Sequence, residues 1–397
     1  MPTNKTKQIF AVTSGIALLL IVELFSRLPD ANSLNDWCTT PYAFNYHFGM
    51  HSRFLMGSIF QWLLSPISLH RLYLFILLST LILIGLFAYF YAKTITAATD
   101  KATIGITYWT ILLMASPASI AFLFYWGNYG RMDLYLIGIL FIALSIADKR
   151  HLNNMIPALL LIGMAVHQVF LFTYCAVILG VLLYECYRSQ FHRGDVIRLI
   201  SGIVIAATAF LYFQFGTSPL YYESAGGVVE ILNQQSNIPV NEKMIEYEYF
   251  KSLSEHMDAF VKVDLKDRVI RGIIVLILMM PINIFIWRFW HNTAKLHITY
   301  RLLSLTPLAI LPAFILTIDW GRWFAAVYIA AFSLIAYLFK RKDPVAEIYF
   351  EKLSEWIQKQ PLLAFGVLVY FVALNKFEAA AILNYATHIH LFLQKIF

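Results

Sequence analysis

Eleven long apolar runs divide this chain, and they restrict its fold more than any other feature: residues 9–25, 72–91, 102–124, 134–147, 156–165, 168–185, 199–214, 269–287, 302–317, 323–339 and 361–377. A backbone surrounded by lipid has no water to bond, so it must close its hydrogen bonds within helices or a sealed barrel. Runs that are continuous rather than alternating select helices. Hydrophobic residues are 60% of the 397 and charged residues 13%, with a mean hydropathy of +0.67. That balance excludes a water-soluble enzyme or a disordered tail. The fold class is therefore all-α, one polytopic integral membrane domain spanning 1–397. About eleven transmembrane or re-entrant helices are expected, several shorter than the ~20 residues of a perpendicular span.

The net charge of +7 sets orientation rather than nucleic-acid binding, because the basic residues sit in short clusters between apolar runs. With a cytoplasmic N-terminus the inside loops hold Lys5/Lys7, Lys93/Lys101, Lys149/Arg150, Arg188/Arg193/Arg198, Arg288/Lys295/Arg301 and Lys340/Arg341/Lys342. Every inside loop is then basic. The alternation closes only if 156–185 goes out and back as two short helices with His167-Gln168 at the tip. This topology suits a plasma membrane with the N-terminus inside. It leaves two outer excursions: 26–71, ending in an interfacial helix over 54–69, and the large loop 215–268. Residues 344–360 read as an inside surface helix, and 378–397 as amphipathic. Cys38, Cys175 and Cys186 offer neither a disulfide framework nor a metal spacing.

Lipid makes ionisable groups costly, so their positions carry the functional signal. Of the 23 acidic residues, nine (Glu223, Glu230, Glu242, Glu246, Glu248, Glu255, Asp258, Asp264 and Asp267) crowd the large outer loop, as a solvated face would. Others lie among inside basic clusters. Six remain, Glu23, Asp30, Asp36, Asp133, Asp319 and Glu378, all at the outer boundary. Four polar constellations share that side. The first runs from Asp30 through Asp36-Trp37, Tyr42 and Tyr46-His47 to His51-Ser52-Arg53. The second is the turn Trp126-Gly127-Asn128-Tyr129-Gly130-Arg131-Met132-Asp133, the third His167-Gln168, and the fourth Thr317-Ile318-Asp319-Trp320-Gly321-Arg322-Trp323.

Each alone has an ordinary explanation. Gly-containing turns with Asp and Arg close helical hairpins, tryptophans form interfacial belts, and a lone histidine bonds between helices. Independent turn caps, however, have no reason to share one face. Arginine grips phosphate bidentately, so Arg53, Arg131 and Arg322 point to the phosphate or diphosphate of a membrane-anchored substrate. His51, Asp133, Asp319, Trp37 and Tyr46 join them as candidate binding residues, the aromatics suiting sugar faces. An outer-loop carboxylate beside them, or His167, would serve as catalytic base activating a hydroxyl. A divalent metal is possible, although no known ligand spacing is present.

This pattern resembles the GT-C class of polytopic glycosyltransferases and the bacterial polysaccharide polymerases of the Wzy and EpsG type. The shared features are helices of uneven length, an acidic first outer loop followed by an interfacial helix, a second large outer loop and a His-containing hairpin in mid-chain. The resemblance implies a GT-C-like fold and an enzyme using a polyprenyl-linked glycan, with Asp30 or Asp36 in the place of the usual base. The paired Asp-Asp or Asp-X-Asp of many GT-C members is not present. Two other readings compete: a transporter or flippase of lipid-linked glycans, and a membrane O-acyltransferase using His167. The first expects polar groups at the bilayer midplane and repeated halves, the second a histidine reached from inside.

Overall fold

Each of the eleven apolar runs carries a helix in the computed structural model, which describes residues 4–217, 224–251, 255, 265–293, 295–317, 319–379 and 382–383. The order begins with α1 (Asn4–Arg27), α2 (Asp36–Ala43), α3 (Phe54–Leu63), α4 (Leu69–Ile95), α5 (Asp100–Ala115), α6 (Asp133–Ile146) and α7 (Ile156–Val166). It continues through α8 (Ala176–Arg188), entered by a π turn, α9 (Arg193–Leu211), left by another, and the outer helices α10 (Ala225–Gln235) and α11 (Glu242–Ile245). Next come α12 (Leu265–Leu278), α13 (Met280–Thr293), α14 (Ile298–Leu305) and α15 (Leu311–Leu316). The last helices are α16 (Trp320–Lys340), α17 (Pro344–Lys359) and α18 (Pro361–Ala373), before the short strands β1 (Phe377–Glu378) and β2 (Ile382–Leu383).

Among the described residues seven helices are long and apolar enough to cross a membrane, and nine if two bent pairs each count as one span. The chain is thus an all-α polytopic membrane protein. Among the described residues α6 and α7 have 14 and 11 residues, short for a perpendicular crossing, as the uneven apolar runs lead one to expect. The two bent pairs turn by 70° between α12 and α13 and by 101° between α17 and α18.

The helix α16 is the axis of the molecule. Every residue from Trp320 to Lys340 except Val327 is buried, and its alanines, Ala325, Ala326, Ala330, Ala331 and Ala336, let neighbours approach closely. Both of its ends are tied by charge. At its C-terminal end Lys340 Nζ reaches Asp148 and the Leu144 carbonyl, each at 3.0 Å, while Arg341 grips Glu185 with two bonds of 2.7 and 2.8 Å. At its N-terminal end Arg322 meets Asp133 at 2.8 Å. Segments 133–148 and 168–185 therefore run alongside α16 in the same sense. The helix α7 runs the other way: Asn154 at its start bonds Arg198, whereas Ala165 at its finish accepts from the Arg53 amide at 3.0 Å. The out-and-back hairpin with His167-Gln168 at its tip is what the geometry contains.

Three local readings change. The interfacial helix stops at Leu63 rather than 69, since Pro66 drives Ser65 out of helical geometry. The stretch 344–360 is α17, which lays Phe350 and Ser354 against α5 instead of keeping only a surface position. Within 378–397, Glu378 belongs to β1; residues 380–381 and 384–397 lie outside the described residues, as do Glu223, Asp258 and Asp264 of the outer loop. The two outer excursions are not independent: Phe44, Phe48 and Phe54 share a small apolar cluster with Val228, Leu232 and Ile245.

The residues leading into β1 fasten the end of α5 and the turn after it. Lys376 Nζ donates to the carbonyls of Met114, Ala115 and Ser116 at 2.7, 3.2 and 3.0 Å, satisfying the last turn of α5. The Phe377 amide bonds Pro117, and Asn128 bridges Phe122, Phe377 and Ala379.

Gly105 shows how tight the helix contacts are, because a Cβ there would lie 2.3 Å from the Phe350 carbonyl oxygen. Gly105→Ala should separate α5 from α17 and destabilise the protein by about 1–3 kcal/mol. Thermal unfolding in detergent tests this, and an unchanged midpoint would contradict the packing.

Candidate functional site

The cavity end of the bundle encloses a space of about 720 Å³. Three arginines from three separate segments line it, each placed by local structure. Arg53 precedes α3 with φ at 76°, a left-handed conformation that only glycine adopts freely. Its amide bond to Ala165, and the hydrogen bond between the Ser52 hydroxyl and Gln168, fasten that turn to the His167 hairpin. Arg131 leaves a turn in which Gly130 has φ at 89°, and its Nε donates to the Gly127 carbonyl at 3.2 Å. Arg322 lies in the first turn of α16, at the positive end of the helix dipole, where a cation is disfavoured without carboxylate partners.

Those partners are present. Arg322 binds Asp133 at 2.8 Å and Asp319 at 2.7 Å, Asp319 also takes Arg131 at 3.3 Å, and its guanidinium stacks 4.7 Å from the Trp323 ring. Arg53 binds Glu248 at 2.7 Å. Cations and carboxylates in the site are thus matched, as a low-dielectric surrounding demands. The Nε atoms of Arg53 and Arg322 are buried and donate to no protein acceptor among the described residues.

His167 is 6% exposed, and its Nδ1 accepts the Val169 amide at 3.2 Å. Burial, with Arg53 and Arg322 nearby, holds its imidazole well below the usual histidine range. A neutral ring whose Nδ1 accepts carries its proton on Nε2. His167 is therefore set up as a hydrogen-bond donor, not as a proton acceptor. His51, also lowered by burial, packs edge-on against Phe54 and Tyr249. The remaining wall is apolar and aromatic, formed by Val169, Phe172, Phe210, Phe213 and Ala313, and it continues to Phe215, which is 70% exposed.

Of the residues singled out by sequence, Trp37, His51, Arg53, Arg131, His167, Asp319 and Arg322 line this one cavity, with Asp133 bonded behind Arg322. Three do not line it. Asp36, the expected base, opens α2 and accepts from the Asn241 side-chain amide at 3.0 Å. Asp30 is exposed on the first outer loop. Tyr46 packs against the outer apolar cluster, where burial pushes its phenol up to about 12. Trp320 and Trp323 are buried, and their indoles donate to Phe314 and Thr317; of the three turn tryptophans only Trp126 is exposed. Sequence reasoning missed Glu248, whose loop reads as a solvated acidic face, and with it Tyr247 and Tyr249, whereas Thr317, in the fourth constellation, does line the cavity. No local pattern marks Glu248, because its partner Arg53 lies in the other outer excursion.

Among the described residues no three His, Cys, Asp or Glu side chains lie close enough to hold a metal ion, and the cavity carboxylates are engaged by arginine. Comparison with protein-family models, curated proteins and solved structures yields no match, so the reading of this site rests on its geometry.

Two predictions follow from the charge pairing. Arg322→Ala leaves Asp133 buried without its partner and should destabilise the fold by about 3–5 kcal/mol. Replacing Asp133 and Arg322 together by Asn and Gln should recover part of that loss in unfolding measurements. Burial favours the neutral form of Asp319, but Arg131 and Arg322 outweigh it and hold the carboxyl below its ordinary value. Such a group stabilises the fold above its unfolded value of ~4 and loses that contribution as pH falls through the lower folded value. The melting temperature should fall on acidification below about pH 4, and less so in Asp319→Asn; superimposable pH profiles would contradict this.

Proposed function

We propose that the chain is a membrane-embedded glycosyltransferase or polysaccharide polymerase using a polyprenyl-phosphate- or diphosphate-linked sugar. The reaction takes place at the outer face of the bacterial inner membrane, with the N-terminus in the cytoplasm. The observation that carries this reading is one cavity with two unlike walls: arginines from three segments on one side, and phenylalanines leading to an exposed Phe215 on the other. A charged phosphate with an attached sugar suits the first wall, and an isoprenoid chain suits the second.

The chemistry assigned to these residues is stabilisation of a leaving phosphate. As an acceptor hydroxyl adds to the anomeric carbon, the bond from that carbon to the phosphate oxygen breaks and its electron pair leaves with the phosphate. Arg131, Arg322 and Arg53 lie where that developing charge would sit, and the His167 Nε2–H adds a donor. The hydroxyl proton passes to an oxygen of the departing phosphate, which suits a site whose carboxylates are engaged by arginine. The transport reading is less well supported, since α16 is tied at both ends and its ion pairs lie at those ends rather than at its middle.

Arg131→Lys and Arg322→Lys keep charge but lose the bidentate fork, and each should lower glycan assembly by about 10²–10³-fold in cells that depend on this chain. Asp36→Ala should have little effect. Normal product length and yield in both lysine variants would sink the proposal.

A further inference from the structure

From the charge balance of the cavity we infer that Glu248 is an internal stand-in for the substrate phosphate: it occupies Arg53 until the anionic head arrives, then yields that arginine to it. The inference rests on the reading that the cavity takes a lipid-linked phosphate. Three arginines face three carboxylates there, and the lining Lys251 is itself paired with Glu246 at 3.4 Å. An incoming phosphate adds one or two negative charges to a site whose arginines and carboxylates already balance. Such a site accepts the anion only if one carboxylate withdraws.

The three carboxylates differ in their freedom to do so. Asp133 has a side chain 4% exposed and stands in the first turn of α6, where the helix dipole favours its charge. Asp319 is shared between Arg131 and Arg322 and is bound by the backbone to α16, its carbonyl accepting the Arg322 amide at 3.0 Å. Glu248 is 18% exposed, makes one ion pair, and leaves Arg53 by rotation about its own side-chain bonds. No backbone shift is required. The arm that carries it is fastened elsewhere: the Thr39 hydroxyl bonds Pro239 at 2.6 Å, the Asn241 backbone amide bonds Thr40 at 2.8 Å, and the Tyr249 ring packs at a tilt against Phe44 and Phe54.

Arg53 is built to stay. Arg53 lines the cavity, its left-handed backbone is anchored to Ala165, and its buried Nε has no protein acceptor among the described residues, in addition to the Nη1 held by Glu248. Exchange of one carboxylate for one phosphate keeps the site neutral and uses this further donor, which Glu248 leaves unengaged. Glu248 then acts as a specificity residue: neutral isoprenoids gain nothing by displacing it, whereas phosphorylated ones gain Arg53.

Binding of farnesyl phosphate and of farnesol to the purified full-length protein tests the exchange. Glu248→Gln keeps the shape of the side chain and removes its charge. It should tighten farnesyl phosphate at least tenfold, leave farnesol unchanged and keep the melting temperature within a few degrees. Arg53→Ala should weaken farnesyl phosphate binding and abolish the gain from Glu248→Gln in the double variant. Equal or weaker farnesyl phosphate binding by Glu248→Gln, with wild-type protein preferring the phosphate over the alcohol, overturns the exchange and leaves the proposed function standing. No preference for phosphate in either protein overturns both. Tighter phosphate binding without any glycan assembly in cells keeps the exchange and removes the transferase reading.

Discussion

Arg322 is the residue on which the rest of the site depends. A guanidinium in the first turn of a buried helix opposes the helix dipole and loses most of its hydration. It is tolerated because Asp133 approaches from α6 and Asp319 from the residue before α16. Those two contacts fix the spacing of the central helix against its neighbour and, through the shared Asp319, the position of Arg131. One buried cation thereby sets the relative placement of three segments.

The opposite end of the bundle repeats this arrangement with different chemistry. Lys340 and Arg341 are held by Asp148 and Glu185, and the Tyr184 and Tyr300 hydroxyls converge on Asp343, which also caps α17. Between the two ends α16 is apolar and rich in alanine. Charge at the ends sets the register of the helices, while small residues between them set their separation. A cavity bounded by such a frame changes shape through its side chains and outer loops more readily than through its helices.

Much of this was legible in the sequence because the energetic terms involved are local or periodic. Apolar runs report helices, and an Asp and an Arg in a turn as short as Asp319–Arg322 have few places to go. The hairpin at His167 follows from charge alternation, since no other path keeps Lys149 and Arg188 on one side. Pairings between distant segments leave no such trace. Glu248 stands in an acidic stretch that solvation alone accounts for, and its ion pair with Arg53 exists only once the two outer excursions pack. Asp36 shows the converse: it has the composition expected of a catalytic loop, yet the geometry places it on Asn241 and outside the cavity lining.

The end of α5 and the turn that carries Arg131 are held by residues made long after them. Lys376 caps α5, Phe377 bonds Pro117, and Ala379 bonds Asn128 and Gly321. Until that stretch is made, the carbonyls at the end of α5 and the turn that carries Arg131 lack these partners. The helices of this protein can enter the membrane one after another, but the turn that carries Arg131 gains its last bonds only after α18 has been made.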